Sequence, residues 1–133
     1  MLIDDDPDDR DIFGIAIKAV GIPINFIAES SGIDAIERFK GDNSFKPDYI
    51  FLDLNMPLMD GIECLTEIKK MHHLHKVPVI IYSTASNPIF EEETKQLNAT
   101  HYLVKPSNVE LLTNILADLF AKTVLPFSLR SVD

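Results

Sequence analysis

Short apolar runs alternate with stretches of helical periodicity along this chain, and that alternation constrains the fold more than any other feature. The runs read LI (2–3), INFIA (24–28), YIFL (49–52), VPVIIY (77–82) and HYLV (101–104). They are rich in β-branched and aromatic residues and nearly continuous, the pattern of strands buried on both faces. Between them Ile12, Ile15, Ala16, Ala19 and Val20 suggest one apolar helical stripe, and Ile33, Ile36 and Phe39 a second. Ile62, Leu65, Ile68 and Met71 form a third, with Cys64 beside it. Val109, Leu112, Ile115, Leu116, Leu119 and Phe120 form the last, which Ser107 and Glu110 open at capping-box spacing. The fourth helix, in NPIFEEETKQLNA, has Asn87 as cap and Pro88 as first residue but few apolar contacts, so it is expected to be the least firmly anchored. Strict alternation of this kind predicts an α/β fold, an open doubly wound parallel sheet of five strands with five helices. Function in such a sheet gathers at the carboxyl ends of the strands, where strand order reverses.

Those ends carry the chemistry. The first eleven residues, MLIDDDPDDRD, hold six aspartates and one arginine, and much of the chain's net charge of −9 comes from them. A helix start accounts for several: Asp6 as N-cap, Pro7 as first residue, and Asp8 and Asp9 as first-turn acids favoured by the helix dipole. Asp11 falls on the exposed face. Asp4 and Asp5 precede the cap and end a strand, as Asp53 ends YIFLD. Three carboxylates converging from adjacent strands repel one another unless a cation sits among them. Ser83 and Thr84 end VIIYST, and Lys105 ends HYLVK. Carboxylates, hydroxyls and one lysine at successive strand ends are the parts that hold a phosphoryl group and Mg2+.

Bulk composition narrows the remaining choices. The chain's 133 residues fit one domain, and it has no basic stripe of the kind that binds nucleic acid directly. No apolar run is long enough to span a membrane, and the single cysteine, Cys64, excludes an internal disulfide and suits a cytoplasmic setting. Cys64 is expected to be a buried small hydrophobe, and HHLH (72–75) a solvated connector rather than a metal site.

Taken together, LIDDD, DLNMPLMDG, VIIYSTAS and YLVKP resemble the receiver domain of two-component response regulators, in order and spacing from residue 1 to about residue 122. The resemblance implies a flavodoxin-like sheet of order 2-1-3-4-5. It implies that Asp53 is the phosphoacceptor, taking a phosphoryl group from a phosphohistidine. Asp5 would ligate Mg2+ directly, Asp4 mainly through water, and the backbone carbonyl of Asn55 would be a further ligand. Ser83 matches the switch hydroxyl, Lys105 the phosphate-contacting lysine and Tyr102 the aromatic switch residue, which is expected to turn inward on phosphorylation. Pro106 fits a cis Lys-Pro bond. Thr84 is bulkier than the small residue common at its place and is expected to slow access to the phosphoryl group. Members of the family carry a few more residues ahead of the acidic pair, which implies a late or trimmed start and a short central strand.

The implied partners are a sensor histidine kinase or a histidine phosphotransfer protein upstream and a protein target downstream. Residues 123–133 read as a short tail, so the expected protein is a stand-alone receiver. Its output face would be the fourth helix, the HYLV strand and the last helix. The tail's Val124, Leu125, Phe127 and Leu129 would extend that face toward a homodimer. Two alternatives come from other classes. An aspartyl-nucleophile phosphohydrolase of the haloacid-dehalogenase kind would need a second acid where Asn55 stands. A receiver-like scaffold that takes no phosphate would not need the full set of acids, hydroxyl and lysine.

Overall fold

The structure is a computed structural model that describes residues 1–130. Six strands form one all-parallel sheet: β1 (Leu2–Ile3), β2 (Ala28–Glu29), β3 (Ile50–Leu52), β4 (Val79–Ser83), β5 (His101–Val104) and β6 (Ser128–Leu129). Their spatial order is β2-β1-β3-β4-β5-β6. This is the expected doubly wound order with one strand added at its end. The helices are α1 (Pro7–Ala19), α2 (Gly32–Gly41), α3 (Gly61–Lys70), α4 (Pro88–Gln96) and α5 (Val109–Phe120).

Alternation along each strand sends side chains to two separate cores. Ile3, Ile50, Leu52, Val79, Ile81 and Tyr102 meet α2 and α3 on one face, where Ala35, Phe39, Cys64, Leu65 and Ile68 are buried. Leu2, Phe51, Ile80, Tyr82 and Leu103 meet α1 and α5 on the other, through Phe13, Ala16, Ile17, Leu112, Leu116 and Leu119. Cys64 is buried as expected, and desolvation pushes its thiol up to about 12.

Several local expectations are corrected. The first helix turns Phe13, Ala16 and Ile17 inward and leaves Ile12 and Ile15 exposed, because Phe13 packs into an aromatic group. Its ring lies 4.9 Å from Phe51, 5.3 Å from Tyr82 and 5.7 Å from Phe26. Ile33 on α2 is likewise exposed. The INFIA run is not a strand until Ala28, since Phe26 instead stacks on Phe13. Asn108, not Ser107, caps α5: its backbone is extended and its side chain accepts the Leu111 N–H at 2.9 Å. The Lys105–Pro106 bond is trans. The Lys105 N–H donates to the Ser83 carbonyl at 2.7 Å, which carries the β4–β5 pairing to the strand ends. Caps at Asp6 and Asn87, each followed by proline, stand as expected.

The tail differs most. Tyr102 N–H donates to Phe127 O at 2.8 Å, and Ser128–Leu129 pair with β5, so the segment covers the β5 edge as a sixth strand. Leu129 is buried, Phe127 and Leu125 pack against the two cores, and only Val124 is left out, 98% exposed. Arg130 extends the closure to α4, where Nη2 lies 2.6 Å from Glu91 Oε1. The helix α4 itself buries only Thr94, as its composition suggested.

Candidate phosphoryl and cation site

The carboxyl ends of β1, β3, β4 and β5 meet at one rim. Asp4 follows β1 and is fully buried, with Asp5 exposed beside it. Asp53 follows β3 and is 6% exposed. One carboxylate oxygen from each of Asp4, Asp5 and Asp53 lies within 4.8 Å of the others, the only such acid or histidine cluster of three among the described residues. Oxygen donors on adjacent strand ends, one of them open to solvent, fit a hard divalent cation that keeps part of its water. The histidines of HHLH do not form such a cluster. They make a 3-10 turn, His72–Leu74, anchored by buried Leu74.

Lys105 brings the positive charge. Its Nζ is 2.9 Å from Asp4 Oδ2, 2.7 Å from Asp9 Oδ2 and 3.8 Å from Asp53 Oδ1. Burial alone would lower its pKa, but the hydrogen bonds it donates to Asp9 and Asp4 and the charge of Asp53 outweigh that and raise it. The carboxylates feel the same desolvation with the opposite sign. Burial pushes Asp53 up to about 7, against the pull of Lys105 and with help from the charge of Asp4. Asp4 is also raised, chiefly by burial, despite its hydrogen bond from Lys105. One ammonium among this many carboxylates leaves the site short of positive charge.

Hydroxyls and backbone complete the rim. Ser83, fully buried at the end of β4, accepts the Ala85 N–H at 3.3 Å. Thr84 is exposed beside it, and Asn55 is exposed in the loop after Asp53. Tyr102 is already inward: it is fully buried, and its hydroxyl donates to the Ala85 carbonyl at 2.8 Å.

Three contributors escaped the sequence reading. Asp9 was accounted for as a first-turn acid, yet its carboxylate crosses to Lys105. Arg10 reaches back from α1, and Nη1 donates to Asp4 O at 2.9 Å. Gly61 begins α3 against the site strand, where an added Cβ would collide with the Asp53 carbonyl oxygen and meet Leu54 Cα at 2.6 Å. Only the Asp-Gly pair at 60–61 hinted at this, and its capping role is visible too: Asp60 accepts the Glu63 N–H while the Glu63 side chain accepts the Asp60 N–H.

Residues 1–117 match the model of the response regulator receiver domain. Response regulator Rcp1 of Synechocystis sp. is 30% identical over 114 residues, covering 83% of this chain and 78% of that protein. The crystal structure of the Mn(2+)-bound form of Rcp1 superposes with a TM-score of 0.80 at 28% identity, covering 93% of this chain and 94% of that one. The phosphorylated cyanobacterial phytochrome response regulator RcpA gives a TM-score of 0.82 at 28% identity, with 94% and 95% covered. Other curated relatives are much longer. The chain spans 14% of the sensor histidine kinase CheAY of Helicobacter pylori and 42% of the transcriptional regulatory protein PrrA of Mycobacterium leprae.

Proposed function

The chain belongs to the response regulator receiver family, and on that premise we propose that it is a phosphoacceptor switch of a two-component phosphorelay. One observation carries the reading: a buried strand-end carboxylate, Asp53, stands within 4.8 Å of two further acids and 3.8 Å from a lysine ammonium. An Asp53 oxygen bonds to phosphorus as the N–P bond of a phosphohistidine breaks, the donor being a sensor histidine kinase or a histidine phosphotransfer protein. Asp5 and Asp53, the Asn55 carbonyl and, through water, Asp4 would hold Mg2+, which supplies charge neutralisation for the transferred group. Lys105 donates to a phosphoryl oxygen, and the Ser83 hydroxyl donates to another. Exposed Thr84 borders the entrance and slows attack by water. The chain is a regulatory phosphoacceptor whose own chemistry ends with loss of the phosphoryl group to water. Its expected compartment is the cytoplasm, in keeping with a single, buried cysteine, Cys64.

Output runs through α4, β5 and α5 to a downstream protein target. Ser83 and Tyr102 both bond to Ala85, so a pull on the Ser83 hydroxyl is felt in the segment that leads to α4. That helix buries only Thr94 and is otherwise tied by partly exposed polar contacts of Glu91 to Ser128 and Arg130, and a cavity of about 290 Å³ lies between Phe90 and the Asn55–Met56 loop. A small differential contact at the phosphoryl group is then enough to shift its position. Ile89, 73% exposed, and Phe90 offer this face an apolar contact for a homodimer, with β6 now its outer strand. Acetyl phosphate with Mg2+, read on a phosphate-affinity gel, tests the phosphoacceptor. A retarded band that Asp53→Asn abolishes is expected. A band that persists in the variant rejects Asp53, and catalytic release without an adduct favours a phosphohydrolase.

A further inference from the structure

Lys105 lies closest to a carboxylate that belongs neither to the acidic pair nor to the β3 end. Its ammonium has three protons. Two go to Asp9 at 2.7 Å and Asp4 at 2.9 Å, while Asp53 at 3.8 Å is outside hydrogen-bond distance. Asp9 sits in the first turn of α1, with its side chain 26% exposed where that of Asp4 is 0%. Its carboxylate needs no partner there, since a first-turn acid is stabilised by the helix end alone. Its one side-chain hydrogen bond among the described residues is nevertheless to Lys105.

We infer that Asp9 is a positioning residue that parks the Lys105 ammonium away from Asp53 in the resting site and yields it to an incoming phosphoryl group. The inference rests on the reading of Asp53 as phosphoacceptor. Without Asp9, Asp4 alone would hold the ammonium, and the proton released from Asp9 would be free to turn toward Asp53. A close Lys105–Asp53 pair would occupy the nucleophile and oppose a cation among Asp4, Asp5 and Asp53. Asp9 therefore favours the cation-loaded, unphosphorylated site. Once a phosphoryl group is in place the balance reverses, because Lys105 must give up the Asp9 bond, or share its charge with it, to reach the new oxygens. Asp9 also sets its own negative charge beside the anion. The same carboxylate thus strengthens cation binding and weakens anion binding, acting through one lysine.

The test uses the full chain and two probes, Mg2+ alone and beryllofluoride at saturating Mg2+, both followed by calorimetry. Asp9→Asn is expected to weaken Mg2+ and to tighten beryllofluoride, each by about three- to ten-fold, the range for side chains that share a partner. Asp9→Glu should stay near wild type. In a Lys105→Ala background, the Asp9→Asn change should move either affinity less than about two-fold, a result that a purely structural role for Asp9 would not give. Asp9→Ser, also suited to a first helical turn, replaces the Asn variant if circular dichroism shows the latter unfolded. Equal affinities in wild type and Asp9→Asn overturn the inference, as do changes that survive loss of Lys105. A wild type that binds neither probe sinks the phosphoacceptor reading and this inference with it. A wild type that binds both, alongside a variant identical to it, sinks the inference alone.

Discussion

Replacing Asp53 with asparagine should stabilise the cation-free protein, and the gain should depend on pH. The Asp53 carboxyl is raised from 3.8 to about 7 because ionising it means holding a charge in a buried site beside Asp4. In the unfolded chain the same group ionises near its ordinary value, so between roughly pH 4 and 7 the native state holds a proton that the unfolded state has lost. Stability from this group is complete below the unfolded value and is lost as pH rises through the native one. A shift of this size corresponds to at most about 4 kcal/mol at pH 8, and relaxation with water entry leaves about 2 kcal/mol as the working figure. For a chain of this length that is roughly 6–10 °C in Tm. Thermal and urea denaturation of wild type and Asp53→Asn, in EDTA from pH 3.5 to 8.5, makes the comparison. The two curves should converge at the acid end and separate steadily to a plateau above pH 7. A wild type as stable as the variant at pH 8, or a gap independent of pH, refutes the argument that desolvation dominates at Asp53.

Other perturbations probe the remaining parts. Asp5→Asn should abolish most of the Tm increase that wild type shows with millimolar Mg2+, since a ligand stabilises only the state it binds; an equal increase in both proteins removes Asp5 from the ligand set. Gly61→Ala should cost about 1–3 kcal/mol in urea denaturation, because its Cβ would press on the backbone of Asp53 and Leu54 rather than on a movable side chain. Ending the chain at Lys122 removes β6 and uncovers the β5 edge and the Leu129 site. Deleting that buried leucine alone should cost about 2 kcal/mol or more. In light scattering with beryllofluoride, wild type should shift toward dimer, and a monomer under every condition leaves a different protein as the reader of the switch.

The architecture and the strand-end site were largely legible in the residues because both follow from local pattern. Near-continuous apolar runs alternating with helical stripes fit strands buried on two faces, and a parallel sheet brings their carboxyl ends to one rim whatever the loop details. That is why Asp4, Asp5, Asp53, Ser83 and Lys105 could be assigned to one place from positions far apart in the chain. Helix caps were readable wherever proline followed the capping residue. Where two adjacent candidates competed, as Ser107 and Asn108 do, backbone geometry made the choice.

Other features were settled by packing between distant segments. The phase of α1 depends on Phe13 finding Phe51 and Tyr82, and the apolar periodicity of that helix allowed another stripe equally well. Too short and too lightly patterned to read as a strand, Ser128–Leu129 becomes one only because β5 offers an unpaired edge. Asp9 had a sufficient local explanation at the helix start, and its bond to Lys105 exists because α1 and the end of β5 are brought together by the sheet. The raised ionisation of Asp53 is of the same kind. The identity of a carboxylate is written in the chain, but the free energy of its charge is set by how much water and how many other charges the fold leaves around it.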